Sequence, residues 1–311
     1  MTTSAVGIIL PTMSERGTMP GDVAAAARHA EELGFESVWV IDQLVAGTGV
    51  PLLDSGIALA TAAAATSRVG LGYGVLVVPL HPLVWLAKQV ASLQHVSGGR
   101  LILGVGTGGD RHRESWAAAG VSPRDRGRLT DYALQALPGL LAGQPTRLAP
   151  GQDSPSVALS PPAAVPPVIV GGMSEAALRR AARYGDGWFP TPIPHPLLTS
   201  AQARLAELAA EYGRPVPTVT TSLITAIAGD PDLPDHDALT RRLSDPDGLF
   251  GIPADQVPAV LHKGPPGEIA ALLTEDFSHG AERVVISVAA GNWFRQAELA
   301  AEALSLLGQP V

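Results

Sequence analysis

Apolar residues recur along this chain with two alternating periods. Short β-branched runs suited to strands fall at 5–10 (AVGIIL), 37–41 (SVWVI), 69–78 (VGLGYGVLVV), 100–105 (RLILGV), 167–171 (PVIVG), 186–190 (DGWFP), 217–227 and 282–288 (ERVVISV). Between them lie Ala-, Leu- and Arg-rich stretches with helical spacing, near 20–33, 54–65, 82–95, 126–142, 174–184, 195–212, 266–278 and 293–307. Strands that alternate with helices pair in parallel, because each helix carries the chain back to the starting edge of the sheet. Eight such units fit a closed barrel better than an open doubly wound sheet. The expectation is a single domain over 1–311: an α/β protein built as a (β/α)8 TIM barrel with insertions after helix 4 and strand 7. The first insertion, about 144–166, is rich in Pro, Ser and Gly, and the second, about 228–262, follows the seventh strand. Loops after strands lie on the catalytic face of such a barrel, so the second insertion is the better lid candidate.

Composition narrows the chemistry. With 311 residues, 46% of them hydrophobic, a large core is easily built. No apolar run reaches 18 residues and the N-terminus has no signal-like pattern, so a cytoplasmic protein without a membrane partner is expected. Cysteine is absent, which removes disulfides, thiol nucleophiles and thiolate metal sites. Redox chemistry, if present, must come from a bound organic cofactor. The net charge of −8 is scattered and offers no basic groove for nucleic acid, leaving a small-molecule substrate as the expected partner. The eight histidines form no HxH or HExxH pattern, so no metal is expected and a metal-dependent barrel hydrolase is disfavoured.

Three strand ends are rich in glycine. In GYGVLVVPLHP (72–82), Gly72 and Gly74 interrupt a strong strand, which marks either crowding or the close approach of a flat ligand. In GGRLILGVGTGGD (98–110), Gly104, Gly106, Gly108 and Gly109 surround Thr107 without a helix following directly, so a strand end opened for a planar ring fits better than a dinucleotide fingerprint. In VIVGGMSEAALRRAARYGDGWFP (168–190), Gly171 and Gly172 end a strand and Ser174 is a credible N-cap, giving either a plain tight turn or a phosphate seat at a helix N-terminus. Arg179, Arg180 and Arg183 on that helix are candidate ligands for an anionic tail.

Together with AARHAEELGFESVWVIDQ (26–43) and RGRLTDYALQAL (126–137), these runs resemble the luciferase-like family of flavin- and F420-dependent oxidoreductases, over most of residues 5–190. The resemblance implies a cofactor ring over the C-terminal strand ends, beside a non-proline cis peptide at Gly74–Val75. It places the cofactor phosphate on Gly171, Gly172 and Met173, with Asp42, Thr107, Gly108 and Gly109 near the ring. It implies F420 or FMN, with a slight lean to F420, and hydride or oxygen transfer on a small organic substrate. A homodimer, and a separate flavin or F420 reductase as a partner, are further implications. The sequence departs from the pattern where the family usually carries a histidine after the acidic residue ending strand two: Gln43 follows Asp42 here, and glutamine cannot act as a general acid. Gly109 likewise stands where the deazaflavin-dependent sugar-phosphate dehydrogenases carry an acid. Gln43, His81 and His112 are therefore the candidate catalytic residues, with Glu114 and Asp186 as further titratable groups. A cofactor-free binding barrel is the alternative that the loss of the histidine keeps open.

Overall fold

A computed structural model describes residues 5–47, 49–109, 113–148, 155–246, 248 and 250–307. Its barrel strands are β1 (Ala5–Ile9), β2 (Ser37–Val40), β3 (Gly70–Tyr73, resuming at Leu76–Val77), β4 (Leu101–Gly106), β5 (Val168–Gly171), β6 (Gly187–Phe189), β7 (Thr218–Ile227) and β8 (Arg283–Val288). All neighbours pair in parallel, and pairing of β1 with β8 (Ala5 opposite Arg283) and of β6 with β7 (Gly187 opposite Thr218) closes the ring. The outer helices are α1 (Val23–Glu32), α2 (Ser55–Ala65), α3 (Leu83–Ser97), α4 (Arg126–Leu141), α5 (Glu175–Tyr184), α6 (His195–Glu211), α7 (Pro266–Ser278) and α8 (Trp293–Ser305). The TIM barrel expected from the hydrophobic pattern is the observed fold. None of the described helices is long and apolar enough to cross a membrane.

Side chains alternate between two cores because the strand period is two. Val38 and Val40, Leu101 and Leu103, Val168 and Val170, and Val284 and Ile286 face the helix layer. Their neighbours Trp39, Ile102, Ile169, Phe189 and Val285 fill the barrel itself. Trp39 decides the composition of the strands beside it. Its indole, hydrogen-bonded through Nε1–H to Ser37 Oγ at 2.7 Å, crosses β1 and β3. A methyl group at Gly7 would lie 2.5 Å from Trp39 Nε1, and one at Gly72 would overlap the ring. Gly72 thus answers crowding by a neighbouring strand's indole, and the ligand reading of that glycine is corrected. Trp39 and Trp188 are both core residues with no exposure.

The insertions are more regular than their composition suggests. The first holds an antiparallel pair, Thr146–Arg147 with Ser156–Val157. The second holds helices His236–Ser244 and Val257–Val260 and a strand, Leu261–Gly264, that pairs in parallel with the end of β7. Leu239, Leu243, Val257 and Leu261 give it an apolar cluster with Ile224, Ala289 and Ala290. It is thereby anchored at the C-terminal ends of β7 and β8.

Candidate active site

The rim is built around one side chain. β3 is interrupted by a cis peptide between Gly74 and Val75, the bond singled out in the sequence. Val75 packs, half-exposed, beside Trp39 and Phe189 at the end of the interior core. A methyl group at Gly106 would lie 2.6 Å from Val75 Cγ2, one at Gly171 would lie 3.1 Å from the same atom, and one at Gly104 would overlap the Tyr73 carbonyl oxygen. The glycines of β4 and β5 therefore converge on Val75, whereas a methyl group at Gly74 would meet Trp39 at 3.3 Å and Phe189 at 3.6 Å. They do so by making room for the protein's own chain, which corrects the view of Gly104 and Gly106 as bare openings. What they support is a backbone platform with Val75 on top.

Around this platform the remaining glycines differ. Gly108, at φ +70°, is pressed against Val77 and the Trp116 ring, whereas a methyl group at Gly109 would meet nothing within 4 Å. Gly172, at φ +110°, donates its N–H to the Phe189 carbonyl at 3.1 Å and accepts from Trp188 Nε1–H at 2.8 Å. Both of its backbone groups are in use, so Gly172 shapes the turn without offering an N–H to a phosphate. Met173 packs against the helix-layer core. Positive charge gathers next door, in a depression of about 540 Å³ lined by Thr107, Arg124, Arg126, Ser174 and Arg180. Ser174 caps α5 by accepting the Ala177 N–H at 3.2 Å. Of the three helix arginines only Arg180 reaches this depression, braced by Asp131 at 2.5 Å. Arg179 instead pairs with Glu175 and Glu211, and Arg183 lies over the Tyr184 and Tyr212 rings, so both are corrected as tail ligands.

Asp42 and His81 form a pair that the sequence left separate. β2 and β3 are adjacent, so the turn after one and the segment after the other meet at the rim. Asp42, 9% exposed, accepts from Ser55 Oγ at 2.7 Å on one oxygen, and from the Val77 N–H at 2.8 Å and His81 Nε2 at 2.9 Å on the other. Burial pushes this carboxyl up, but the His81 hydrogen bond and charge, with Ser55 and Val77, outweigh it and hold Asp42 below its ordinary value. Burial alone would lower His81, and the hydrogen bond and charge of Asp42 raise it above its usual value instead. Asp42 therefore uses both oxygens to hold the protein's own groups and positions His81. Tyr73, buried beside this pair, has its phenol pushed up by burial first and then by the charges of Asp42 and Asp54, so it stays protonated.

Gln43 opens in a different direction. It lines a cavity of about 460 Å³ at the ends of β1, β2 and β8, together with Ile41, Met19, Trp293 and, from the second insertion, Arg242 and Phe250. Arg242 reaches Glu15 across this mouth. Thr12 Oγ1 and Ser14 Oγ border the same cavity and are buried without a hydrogen-bond partner. His112 and Asp110 lie outside the described residues. Glu114 is exposed on the helix Arg113–Ala118. Asp186 accepts the Val168 N–H at 2.9 Å at the opposite, N-terminal end of the barrel and belongs to no part of this site. Sequence reasoning missed Ser55, Arg124 and Arg126; adjacency of strands two and three in a barrel was the available signal for the Asp42–His81 pair.

The rim of this parallel eight-stranded barrel thus carries a non-proline cis peptide, a hydrogen-bonded Asp42–His81 pair and a depression lined by arginines. The chain belongs to the luciferase-like monooxygenase family, whose model matches residues 5–302. It is 31% identical over 206 residues to 4-hydroxyprotoasukamycin monooxygenase of Streptomyces nodosus subsp. asukaensis, covering 61% of this chain and 54% of that protein. The chain spans 58%, 54%, 72% and 50% of the length of curated relatives that it matches. An F420-dependent secondary alcohol dehydrogenase in complex with an F420–acetone adduct superimposes with a TM-score of 0.78 at 16% identity, over 96% of this chain and 98% of that one. Riboflavin lyase with modified FMN and riboflavin superimposes with a TM-score of 0.73 at 17% identity, over 97% of this chain and 91% of that one. At these identities the two structures attest the fold.

Proposed function

We propose that this chain binds a flavin-type cofactor at the C-terminal face of its barrel, F420 in preference to FMN, and uses it to transfer a hydride or oxygen on a small organic substrate. The observation that carries this reading is the crowding of Gly104, Gly106 and Gly171 around Val75, which stands part-exposed at the rim beside the cis peptide Gly74–Val75. Arg124, Arg126 and Arg180 beside Thr107 favour the deazaflavin, because its tail bears more anionic groups than the single phosphate of FMN and gains more from a cationic depression. When bound, the cofactor would supply the hydride or the activated oxygen.

The chain's own residues would do the rest. Val75 would carry the ring, and Thr107, Gly108 and Gly109 would flank it. His81, whose pKa the hydrogen bond and charge of Asp42 raise above its ordinary value, is the group able to give up a proton at the rim, a role that Gln43 cannot fill. Gln43 would instead orient substrate by amide hydrogen bonds in the mouth cavity, with Phe250 and the Arg242–Glu15 pair excluding water. If FMN were the cofactor, a separate reductase would be required as a partner. A homodimer working on a small molecule in the cytoplasm completes the reading.

Equilibrium titration of the purified protein with F420 and with FMN, followed by absorbance and fluorescence, tests the proposal. Saturable binding of F420, weakened by Val75→Asp, is expected. Tight FMN binding without F420 binding overturns the preference. Failure of both cofactors to bind overturns the whole reading and leaves the cofactor-free barrel that Gln43 keeps open.

A further inference from the structure

A second group of titratable side chains lies outside the barrel wall, where the first turn of α6 meets the last turn of α7. Glu275 and His279 are four residues apart at the end of α7, so they project on one face of it. His195 opens α6 and stacks on His279, with ring centroids 4.1 Å apart and planes within 6°. One ligand atom from each of His195, Glu275 and His279 lies within 4.8 Å of the others. The arrangement is built from behind. Asp276, 6% exposed, accepts from Thr221 Oγ1 at 2.6 Å and faces His195 Nε2 at 2.7 Å. A carboxylate accepts only, so Nε2 must carry a proton. The other ring nitrogen, Nδ1, then lies 3.1 Å from Glu275 Oε1. With a neutral imidazole, two acceptor atoms would lie in close contact there with no proton to share. Something positive belongs between them.

We propose that His195, Glu275 and His279 form a binding site for one borderline divalent cation of the zinc type, oriented by Asp276 and Thr221. The ligand set of two imidazoles and a carboxylate suits zinc. The chain Thr221–Asp276–His195 is the carboxylate–histidine support that metal-bound histidines require. His279 has the same preparation: its Nδ1 lies 2.9 Å from the Glu275 carbonyl oxygen, to which it donates, and this leaves Nε2 as the ligand atom. Three ligands at zinc bond lengths stand about 3.4 Å apart in a tetrahedron. Closing the site therefore needs only that His279, part-exposed at the helix end, swing off the His195 face until Nε2 meets the ion. A cavity of about 220 Å³, lined by His195, Asp276 and His262, adjoins the site and leaves room for water as the fourth ligand. Bound there, the ion would staple α6 to α7 across some eighty residues of chain. This departs from the metal-free expectation, which rested on motifs within single segments; the site is assembled from two.

The test uses untagged full-length protein stripped with EDTA, and Zn²⁺ and Co²⁺ as probes. One equivalent of Zn²⁺ by equilibrium dialysis, a raised melting temperature at saturating metal, and visible d–d absorption of four- or five-coordinate Co²⁺ are expected. His279→Ala and Glu275→Gln change exposed or part-exposed side chains and should leave the metal-free fold intact by circular dichroism while weakening binding at least tenfold. Asp276→Asn, with all three ligands present, should weaken it by roughly ten- to a hundredfold. The proposal is overturned by wild-type protein that takes up no stoichiometric Zn²⁺, or by His279→Ala and Glu275→Gln variants that bind as the wild type does. A His195 ring doubly protonated at neutral pH and indifferent to added Zn²⁺ would overturn it as well, since a proton would then fill the gap.

Discussion

Replacing Asp42 by asparagine keeps the shape of the side chain and removes its charge. In the wild-type protein one carboxylate oxygen takes the Val77 N–H at 2.8 Å and His81 Nε2 at 2.9 Å, and the other takes the Ser55 hydroxyl at 2.7 Å. The asparagine oxygen must face Val77, because an NH2 group there would oppose a buried donor; Ser55 can turn its hydroxyl and accept from the amide. The loss is then that of charge assistance. Hydrogen bonds to charged groups contribute about 1.5–3 kcal/mol against about 0.5–1.5 for neutral ones, so two or three weakened bonds cost about 2 kcal/mol. The pH dependence has two signs. His81 is raised by folding, so its contribution is complete below about pH 6.5 and disappears as pH rises through the folded value; Asp42 is lowered, so its contribution is complete above about pH 4 and disappears as pH falls through the folded value. The variant should therefore differ most from wild type between these limits and approach it at either extreme. Burial of His81 remains while its raising partner is gone, so the ring should titrate below its wild-type value. Urea unfolding from pH 4 to pH 9, with the His81 ring followed by NMR, measures both. A His81 titration unchanged in Asp42→Asn, or a stability difference flat across that range, refutes the pairing.

Gly106→Ala places a methyl group 2.6 Å from Val75 Cγ2 and should cost about 1–3 kcal/mol by overpacking, with weakened cofactor binding, in thermal and binding assays. Gly109→Ala meets nothing within 4 Å and should leave stability within about 0.5 kcal/mol, so a comparable loss there would refute the crowding argument. Arg124→Ala should weaken F420 binding more than FMN binding and flatten its salt dependence, since the longer anionic tail has more to lose. Glu31 accepts from the N–H groups of Ser67, Arg68 and Val69; burial raises its pKa, but these bonds outweigh it and hold it at about 2. Its contribution is complete above about pH 4.3, the unfolded value, and is lost as pH falls to the folded value of about 2, so Glu31→Gln should be less stable at pH 7 and the deficit should shrink in acid melts.

Much of this architecture was legible in the chain. Alternation within β-branched runs separates Val38 from Trp39 and Leu101 from Ile102 by face, and the Ala- and Leu-rich stretches between them carry helical spacing. The Ser174 cap was likewise a local feature, visible within a few residues, whereas the cis bond at Gly74–Val75 was implied by the family resemblance. The insertion after β7 was placed correctly, while its helices and its added strand were not, because Pro-, Asp- and Gly-rich composition hides short elements that are stabilised by a cluster on a neighbouring strand.

Sequence alone determined the periodicities, and with them the strand–helix order, the barrel and the positions of its glycine-rich ends, because these follow from backbone sterics and solvation over windows of a dozen residues. Tertiary structure decided what occupies the space those glycines leave: Trp39 beside Gly7 and Gly72, and Val75 beside Gly106 and Gly171. It also decided that Asp42 holds His81, that Arg180 alone of its helix turns toward the anion depression, and that His195 meets Glu275 and His279. Each of these is a contact between segments whose separation in space is set by ring closure and strand stagger, and no local pattern encodes that distance.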